Sequence, residues 1–186
     1  MPIPRLHLST TALLVVDLQE NLLGHIHNHK QVLARSEKLI RGCRVLGIPT
    51  VLTEQYPKGL GRTVTPIETA FITGNGPHLR AEKLKFSAYV EPVRQFLSEH
   101  QIRSVIVCGI EAHVCVLQTC LDLVDAGLVV AVTLDAIGSR TEIDHATAVQ
   151  RMLQTGVVPV TVESALFEML TQAGTEQFKA ILPLLK

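Results

Sequence analysis

The chain has 186 residues, of which 17 are basic, 17 are acidic and 4% are aromatic. Domains commonly span about 100 to 200 residues, so we expect one domain covering 1–186. The balanced charge and scarce aromatic rings exclude the basic, base-stacking surface typical of nucleic-acid-binding proteins, and we expect neither nucleic acid nor a membrane as a partner.

The apolar runs and the cysteines indicate the compartment. No run approaches the roughly 18 apolar residues that cross a bilayer, and residues 1–11 lack the apolar region of a secretory signal. The four cysteines show no CxxC and no paired spacing of the kind zinc sites use; they are Cys43, Cys108, Cys115 and Cys120. A chain of this size folds without disulfides, so we expect free thiols and a cytoplasmic protein.

Short β-branched runs alternate with stretches of helical spacing along the whole chain. The runs predict strands at 12–16, 50–53, 104–108, 129–134 and 157–162. The helical stretches are 32–46, 92–100, 112–126 and 145–155, and glycines stand where three of them would end, at Gly47, Gly127 and Gly156. This alternation predicts an α/β fold, a Rossmann-like three-layer α/β/α arrangement with a mainly parallel, six-stranded sheet.

The stretch 54–82 interrupts the alternation. It is rich in residues that break helices and strands, namely Pro57, Gly59, Gly61, Pro66, Gly74, Gly76 and Pro77. Such a composition predicts an irregular excursion over one edge of the sheet, after which the chain re-enters the sheet near Lys83.

Open α/β sheets bind their ligands beyond the ends of their strands, and three polar residues are candidates there: Asp17 ends the first predicted strand, Cys115 lies just beyond the strand at 104–108, and Lys83 lies where the chain re-enters the sheet. A thiol at a helix N-terminus lies in a positive field, which predicts a lowered pKa for Cys115. A carboxylate can accept the thiol proton, and an ammonium can balance the charge.

Each of these residues also has an ordinary structural explanation. Asp17 would serve as a turn former or helix cap, and Cys115 as a small buried hydrophobic residue. Lys83 would be a solvated lysine, as Lys85 would be. The residues alone leave these alternatives open.

Several motifs in order resemble the isochorismatase-like superfamily of cysteine hydrolases. They are Val-Val-Asp-x-Gln at 15–19, Glu-Lys-x-x-Phe-Ser-Ala at 82–88, and Gly-Ile-Glu-Ala-His-Val-Cys-Val at 109–116. The segments 53–57 and 139–140 further resemble the branch of isochorismatase domain-containing proteins. The resemblance spans nearly the whole chain.

The resemblance implies a catalytic triad of Asp17, Lys83 and Cys115. It favours Lys83 over Lys85, because the family lysine stands three residues before an aromatic residue, here Phe86. It implies hydrolysis of an amide-type bond in a small molecule through an acyl-enzyme on the cysteine. It also implies a cis peptide at Ile110-Glu111, an oxyanion hole made by the backbone N–H groups of Glu111 and Cys115, and a homo-oligomer.

The same motifs place five further residues near the expected mouth of the site, where we predict that they contact substrate: Gln19, Glu54, Tyr56, Phe86 and His113.

No metal or other cofactor is expected. Nicotinamidases of the superfamily bind a metal through histidines after the second strand, and this chain has no histidine between His29 and His78. The alternating histidines His25, His27 and His29 are an alternative ligand set, but no carboxylate accompanies them at ligand spacing.

Two other classes of function remain open. One is a non-catalytic α/β interaction protein that kept the hydrolase scaffold. The other is a redox sensor in which Cys120 resolves Cys115, although residues five apart on a helix lie on different faces. A dinucleotide enzyme is excluded, because 17–20 reads Asp-Leu-Gln-Glu where a glycine-rich loop would be needed.

Overall fold

A computed structural model describes residues 3–185 and contains one sheet of six parallel strands. The strands lie in the order β3-β2-β1-β4-β5-β6. Their bounds are β1 Thr11–Val16, β2 Thr50–Gln55, β3 His78–Lys83, β4 Ser104–Ile110, β5 Val129–Gly138 and β6 Val158–Val160. The predicted α/β fold class is confirmed, and the sheet is parallel throughout.

Helices cover both faces of this sheet. They are α1 Glu20–Leu23, α2 His29–Val45, α3 Pro57–Leu60, α4 Thr65–Ile72, α5 Glu91–Glu99, α6 Leu117–Asp125, α7 Glu142–Gln154, α8 Val162–Leu170 and α9 Glu176–Leu185, with a π-helical segment at Ala112–Val116. One apolar core joins the sheet to α2, α4, α8 and α9, and the other joins it to α5, α6 and α7. Along β1, Leu13 and Val15 belong to the first core, whereas Leu14 and Val16 belong to the second. The strands are continuously apolar because both of their faces are buried.

The excursion at 54–82 is more regular than predicted. It holds α3 and α4 and ends in β3, which pairs with β2 as an edge strand of the sheet. The guanidinium of the buried Arg44 donates to the carbonyls of Gly76 at 2.8 Å and Gly74 at 3.2 Å. These hydrogen bonds from α2 stabilise the glycine-rich turn before β3, and the sequence pattern gave no indication of them.

The predicted last strand is too long. β6 ends at Val160, because Thr161 forms a capping box with Ser164 and starts α8 at the next residue.

Gly109 allows β1 and β4 to approach closely at the carboxyl end of β1. Its φ is 136°, and a Cβ at this position would lie 2.1 Å from the carbonyl oxygen of Val16. The register of β4 against β5 shifts at this point, between Val107 and Gly109. Only glycine fits here.

Within residues 3–185, no helix combines the length and the apolar character needed to cross a bilayer.

Candidate active site

Asp17 lies directly beyond β1, with a φ of 54° and no exposed surface. The Thr53 hydroxyl on β2 donates to its Oδ1 at 2.7 Å, and the Lys83 ammonium at the end of β3 donates to its Oδ2 at 2.6 Å. The sheet order brings the ends of β3, β2 and β1 side by side, so residues far apart in sequence meet around one carboxylate.

The Lys83 side chain is fully enclosed. Besides Asp17, its Nζ donates to Gln55 Oε1 at 2.8 Å and to the carbonyl of Phe86 at 2.9 Å, with the carbonyl of Lys85 at 3.3 Å. A buried ammonium needs such acceptors because it has lost its water. The Lys85 side chain is exposed, so the structure brings Lys83, and not Lys85, to Asp17.

Cys115 lies in the π-helical segment that follows β4, and it is only 4% exposed. Burial contributes most to raising the pKa of its thiol, the charge of Asp17 and a hydrogen bond to Asp17 also raise it, and the charge of Lys83 lowers it. Together these effects bring the pKa to about 12. The predicted lowering of this pKa is therefore wrong. Desolvation and a neighbouring carboxylate outweigh the ammonium and the helix terminus, so the resting thiol is protonated at neutral pH.

The turn before Cys115 differs from the expected one. Every peptide bond in the described part of the chain is trans, so the predicted cis bond at Ile110-Glu111 is absent. Glu111 instead turns the chain with a left-handed φ of 57°. Its carbonyl accepts hydrogen bonds from the N–H groups of Val114 at 2.8 Å and Val116 at 3.3 Å, which skips the N–H of Cys115. Such π-helical widening is frequent at functional sites.

Gln19 is bound by the scaffold, and its predicted contact with substrate stays a prediction. It is fully buried, and its Nε2 donates to the carbonyls of Gln55 at 3.0 Å and Gly61 at 2.7 Å. Its Oε1 accepts from the N–H of Gln55 at 2.7 Å. The amide thus fixes the end of β2 and leaves no donor for a ligand.

Glu54 is also bound by the scaffold, on the other face of β2, because neighbouring side chains of a strand point to opposite faces. Thr53 and Gln55 face Asp17 and Lys83, whereas Glu54 Oε1 accepts from the Thr63 hydroxyl at 2.8 Å and from Arg80 at 3.1 Å. Arg80 continues to Glu68 on α4, whose apolar residues belong to the other core. Glu54 therefore lies across the sheet from Cys115.

The remaining predicted contacts surround the site. Tyr56 and Phe86 are about half exposed, and His113 Nδ1 lies 3.1 Å from Ser139 Oγ. Arg140 donates from Nε to Glu111 at 2.9 Å. Their role toward substrate stays a prediction.

A cavity of about 330 Å³ opens beside the end of β3. It is lined by Tyr56, Pro57, Lys58, Glu82, Lys83 and Leu84. The Lys83 side chain is enclosed, so this cavity does not open onto the ammonium itself.

Thr53 and Gln55 were not predicted as site residues. The alternation of side chains along a strand could have indicated them, because it places both on the same face of β2. On that face they meet Asp17 and Lys83 at the ends of the neighbouring strands.

The three alternating histidines do not converge. His27 Nε2 lies 3.2 Å from Glu142, and His29 Nδ1 lies 3.0 Å from the carbonyl of Ile26. Across 3–185, no three His, Cys, Asp or Glu side chains are arranged to hold a metal ion.

Parallel strands with polar groups converging beyond their carboxyl ends define a doubly wound α/β protein with a site at that edge of the sheet. The Isochorismatase domain family matches residues 11–164. The chain belongs to this family, and this membership supports hydrolase activity.

Named relatives agree with the predicted resemblance. Isochorismatase domain-containing protein 2 of Danio rerio is 38% identical over 184 residues, which cover 98% of this chain and 90% of that protein. The secreted isochorismatase effector Isc1 of Phytophthora sojae is 38% identical over 180 residues, covering 95% and 85%. The solved structure of MAR1 ribonuclease from Caenorhabditis elegans is 36% identical with a TM-score of 0.91, covering 97% of this chain and 92% of that one.

Proposed function

We propose that the protein is a cysteine-dependent hydrolase that cleaves an amide-type C–N bond in a small molecule. The observation that carries this proposal is the buried contact set in which Asp17 meets both the Lys83 ammonium and the Cys115 thiol. A nucleophile, a proton acceptor and a fixed positive charge are the groups that acyl transfer through a thioester requires.

In the first half-reaction, Cys115 passes its proton to Asp17 while its sulfur attacks the substrate carbonyl. The two events occur together because the raised pKa keeps the resting thiol protonated. The N–H groups of Glu111 and Cys115 receive the developing oxyanion. Asp17 then protonates the leaving nitrogen, the C–N bond breaks, and ammonia or an amine departs from an acyl-Cys115.

In the second half-reaction, Asp17 takes a proton from water, which attacks the thioester. The C–S bond breaks, Cys115 regains a proton, and a carboxylic acid is released. Lys83 stays positively charged beside Asp17 throughout, so the site never holds an uncompensated buried carboxylate.

RNA cleavage is a second candidate, because one similar structure is described as a ribonuclease. The residues favour a small molecule. Cys115 is only 4% exposed and Asp17 is fully buried, whereas a polynucleotide would need an open groove lined by basic side chains. The net charge of zero points the same way.

The test is turnover of a panel of small amides, with a labelled RNA included. We expect release of ammonia or amine, and a Cys115 peptide carrying the acyl mass after acid quenching. Cys115→Ala and Asp17→Asn should each lose at least about 100-fold in activity. Cys120→Ala is the matched control, since it removes another buried thiol from the same face of the sheet and leaves the triad intact.

Two results would overturn the proposal. One is RNA cleavage that survives Cys115→Ala. The other is the absence of any amide turnover together with an unreactive Cys115, which would favour a non-catalytic interaction protein.

We propose that the hydrolase uses no metal or other cofactor. We further propose that it is a cytoplasmic homo-oligomer. The oligomer is supported by large apolar side chains exposed beside the site, with Leu84 at 77% and Phe86 at 53%.

A further inference from the structure

We propose that Thr53 and Gln55, the two residues of β2 that face the site, are positioning residues for Asp17 and Lys83. This inference rests on the proposed function and deepens it. Neither side chain needs to touch substrate, because each acts through a neighbour that belongs to the triad.

Thr53 holds the carboxylate. Its hydroxyl has one proton, and Asp17 Oδ1 at 2.7 Å is a much nearer acceptor than the carbonyl of Val15 at 3.5 Å. Lys83 occupies Oδ2 at 2.6 Å, so each oxygen of Asp17 has its own donor. Two fixed donors on opposite oxygens define the plane of the carboxylate, and the Cys115 thiol meets it in that orientation.

Gln55 holds the ammonium. Its Nε2 donates to the carbonyl of Leu84 at 3.0 Å, which leaves Oε1 as the acceptor for Lys83 at 2.8 Å. The amide is neutral, so it fixes the position of Nζ without competing with Asp17 for its charge. Gln19 binds both the N–H and the carbonyl of Gln55, so the backbone that carries this amide is fixed as well.

The competing explanation is that Thr53 and Gln55 merely satisfy buried polar groups and contribute only to stability. Thr50 separates the two explanations. It lies on the same strand, is equally buried, and donates its hydroxyl to the carbonyl of Ile48 at 3.0 Å, at the opposite end of β2 from the site. Thr50→Val and Thr53→Val therefore remove the same group from the same strand.

The experiment compares wild type with Thr53→Val, Thr53→Ser, Thr50→Val and Gln55→Glu. The first readout is the rate of iodoacetamide alkylation of Cys115 as a function of pH, followed by mass spectrometry. The second is kcat on whichever amide the panel identifies. A denaturant titration of each variant reports folding separately.

Thr53→Val should move the alkylation profile to higher pH, because Asp17 loses a donor that partly neutralises its charge. Its kcat should fall by about 10- to 100-fold through misplacement of the carboxylate. Thr53→Ser, which keeps the hydroxyl, should recover most of both losses. Thr50→Val should match wild type in both readouts even where it is less stable. Gln55→Glu should move the profile to higher pH by adding a second carboxylate beside Lys83.

Equal behaviour of Thr53→Val and Thr50→Val, or no recovery in Thr53→Ser, would overturn the positioning role while leaving the hydrolase proposal intact. The alkylation readout needs no substrate. A shifted Thr53→Val profile without any amide turnover would therefore support the positioning role and count against the amidase proposal alone.

Discussion

Asp17 and Lys83 act on the Cys115 thiol in opposite directions. Burial contributes most to raising the pKa of the thiol, Asp17 raises it as well and Lys83 lowers it, which together bring it to about 12. The site therefore differs from one that stores a thiolate, and in the proposed mechanism the thiol needs a base at the moment of attack.

This opposition predicts shifts of opposite sign. Asp17→Asn should move the pH profile of Cys115 alkylation to lower pH, because a raising charge is removed. Lys83→Met should move it to higher pH, because the lowering charge is lost and the carboxylate is left uncompensated. Alkylation of Cys115 measured between pH 6 and 11 checks both.

Lys85→Met, which removes an exposed lysine two residues away, is the control and should leave the profile unchanged. Shifts of the same sign in Asp17→Asn and Lys83→Met would contradict the electrostatic account.

At this scale the sequence indicated which residues meet but not the sign of their effect. Cys115 was expected near a helix terminus, and it lies there. Its pKa depends on burial and on the distance to Asp17, and neither can be read from the local sequence. The scaffold contacts of Gln19 and Glu54 were not foreseen, because a polar residue beside a motif looks the same whether it faces a ligand or the backbone.

At the scale of elements, the turn from β4 into the π-helical segment depends on Gly109. A Cβ there would lie 2.1 Å from the Val16 carbonyl oxygen, directly before Asp17. Backbone atoms cannot move aside as the end of a side chain can.

Gly109→Ala should therefore lower the free energy of unfolding by more than about 3 kcal/mol, because steric overlap adds to the strain of a positive φ. Gly127→Ala is the matched control, with a φ of 81° and no atom within 4 Å of its Cβ. It should cost about 1 to 2 kcal/mol. Urea denaturation measures both, and similar losses in the two variants would show that β1 and β4 separate easily.

The buried strands were predictable and the exposed edge strand was not. Continuous apolar runs identified β1, β2, β4 and β5, and the glycines at 47, 127 and 156 end helices as expected. The edge strand β3 carries exposed and charged residues, so it lacks the pattern of a buried strand. Its place depends on pairing with β2 and on Arg44, which are contacts across the fold.

At the scale of the whole molecule, all four cysteines are buried. Burial raises the pKa of all four thiols. The pKa is about 12 for Cys108, Cys115 and Cys120. An unfolded thiol ionises near pH 8.5, so above this value the unfolded state loses protons that the folded state keeps.

The contribution of these thiols to the free energy of unfolding should consequently be fully present below about pH 8. It should be lost as the pH rises toward 12, by about 1.4 kcal/mol per pH unit for each thiol. Cys120→Ala should reduce this slope by the contribution of one thiol. Val130→Ala, a truncation in the same core, should lower stability without changing the slope. Denaturant titrations across this pH range measure the effect, and parallel curves for wild type and Cys120→Ala would contradict it.

Light scattering tests the homo-oligomer. Leu84→Lys places a charge in the exposed apolar surface beside the site and should reduce the solution mass. Ile143→Lys changes another exposed apolar residue, on α7, and should not. A wild-type mass near that of one 20.4 kDa chain would contradict the proposal.

The triad draws on β1, β3 and the segment after β4, with β2 between them, so its parts leave the ribosome at very different times. Asp17 emerges early, but its lysine follows 66 residues later and its cysteine later still. A nascent chain therefore cannot assemble the proposed centre until Cys115 has been synthesised. Fragments that end before this residue would lack the proposed hydrolytic activity, and the appearance of that activity would report the moment at which the central strands have closed around Asp17.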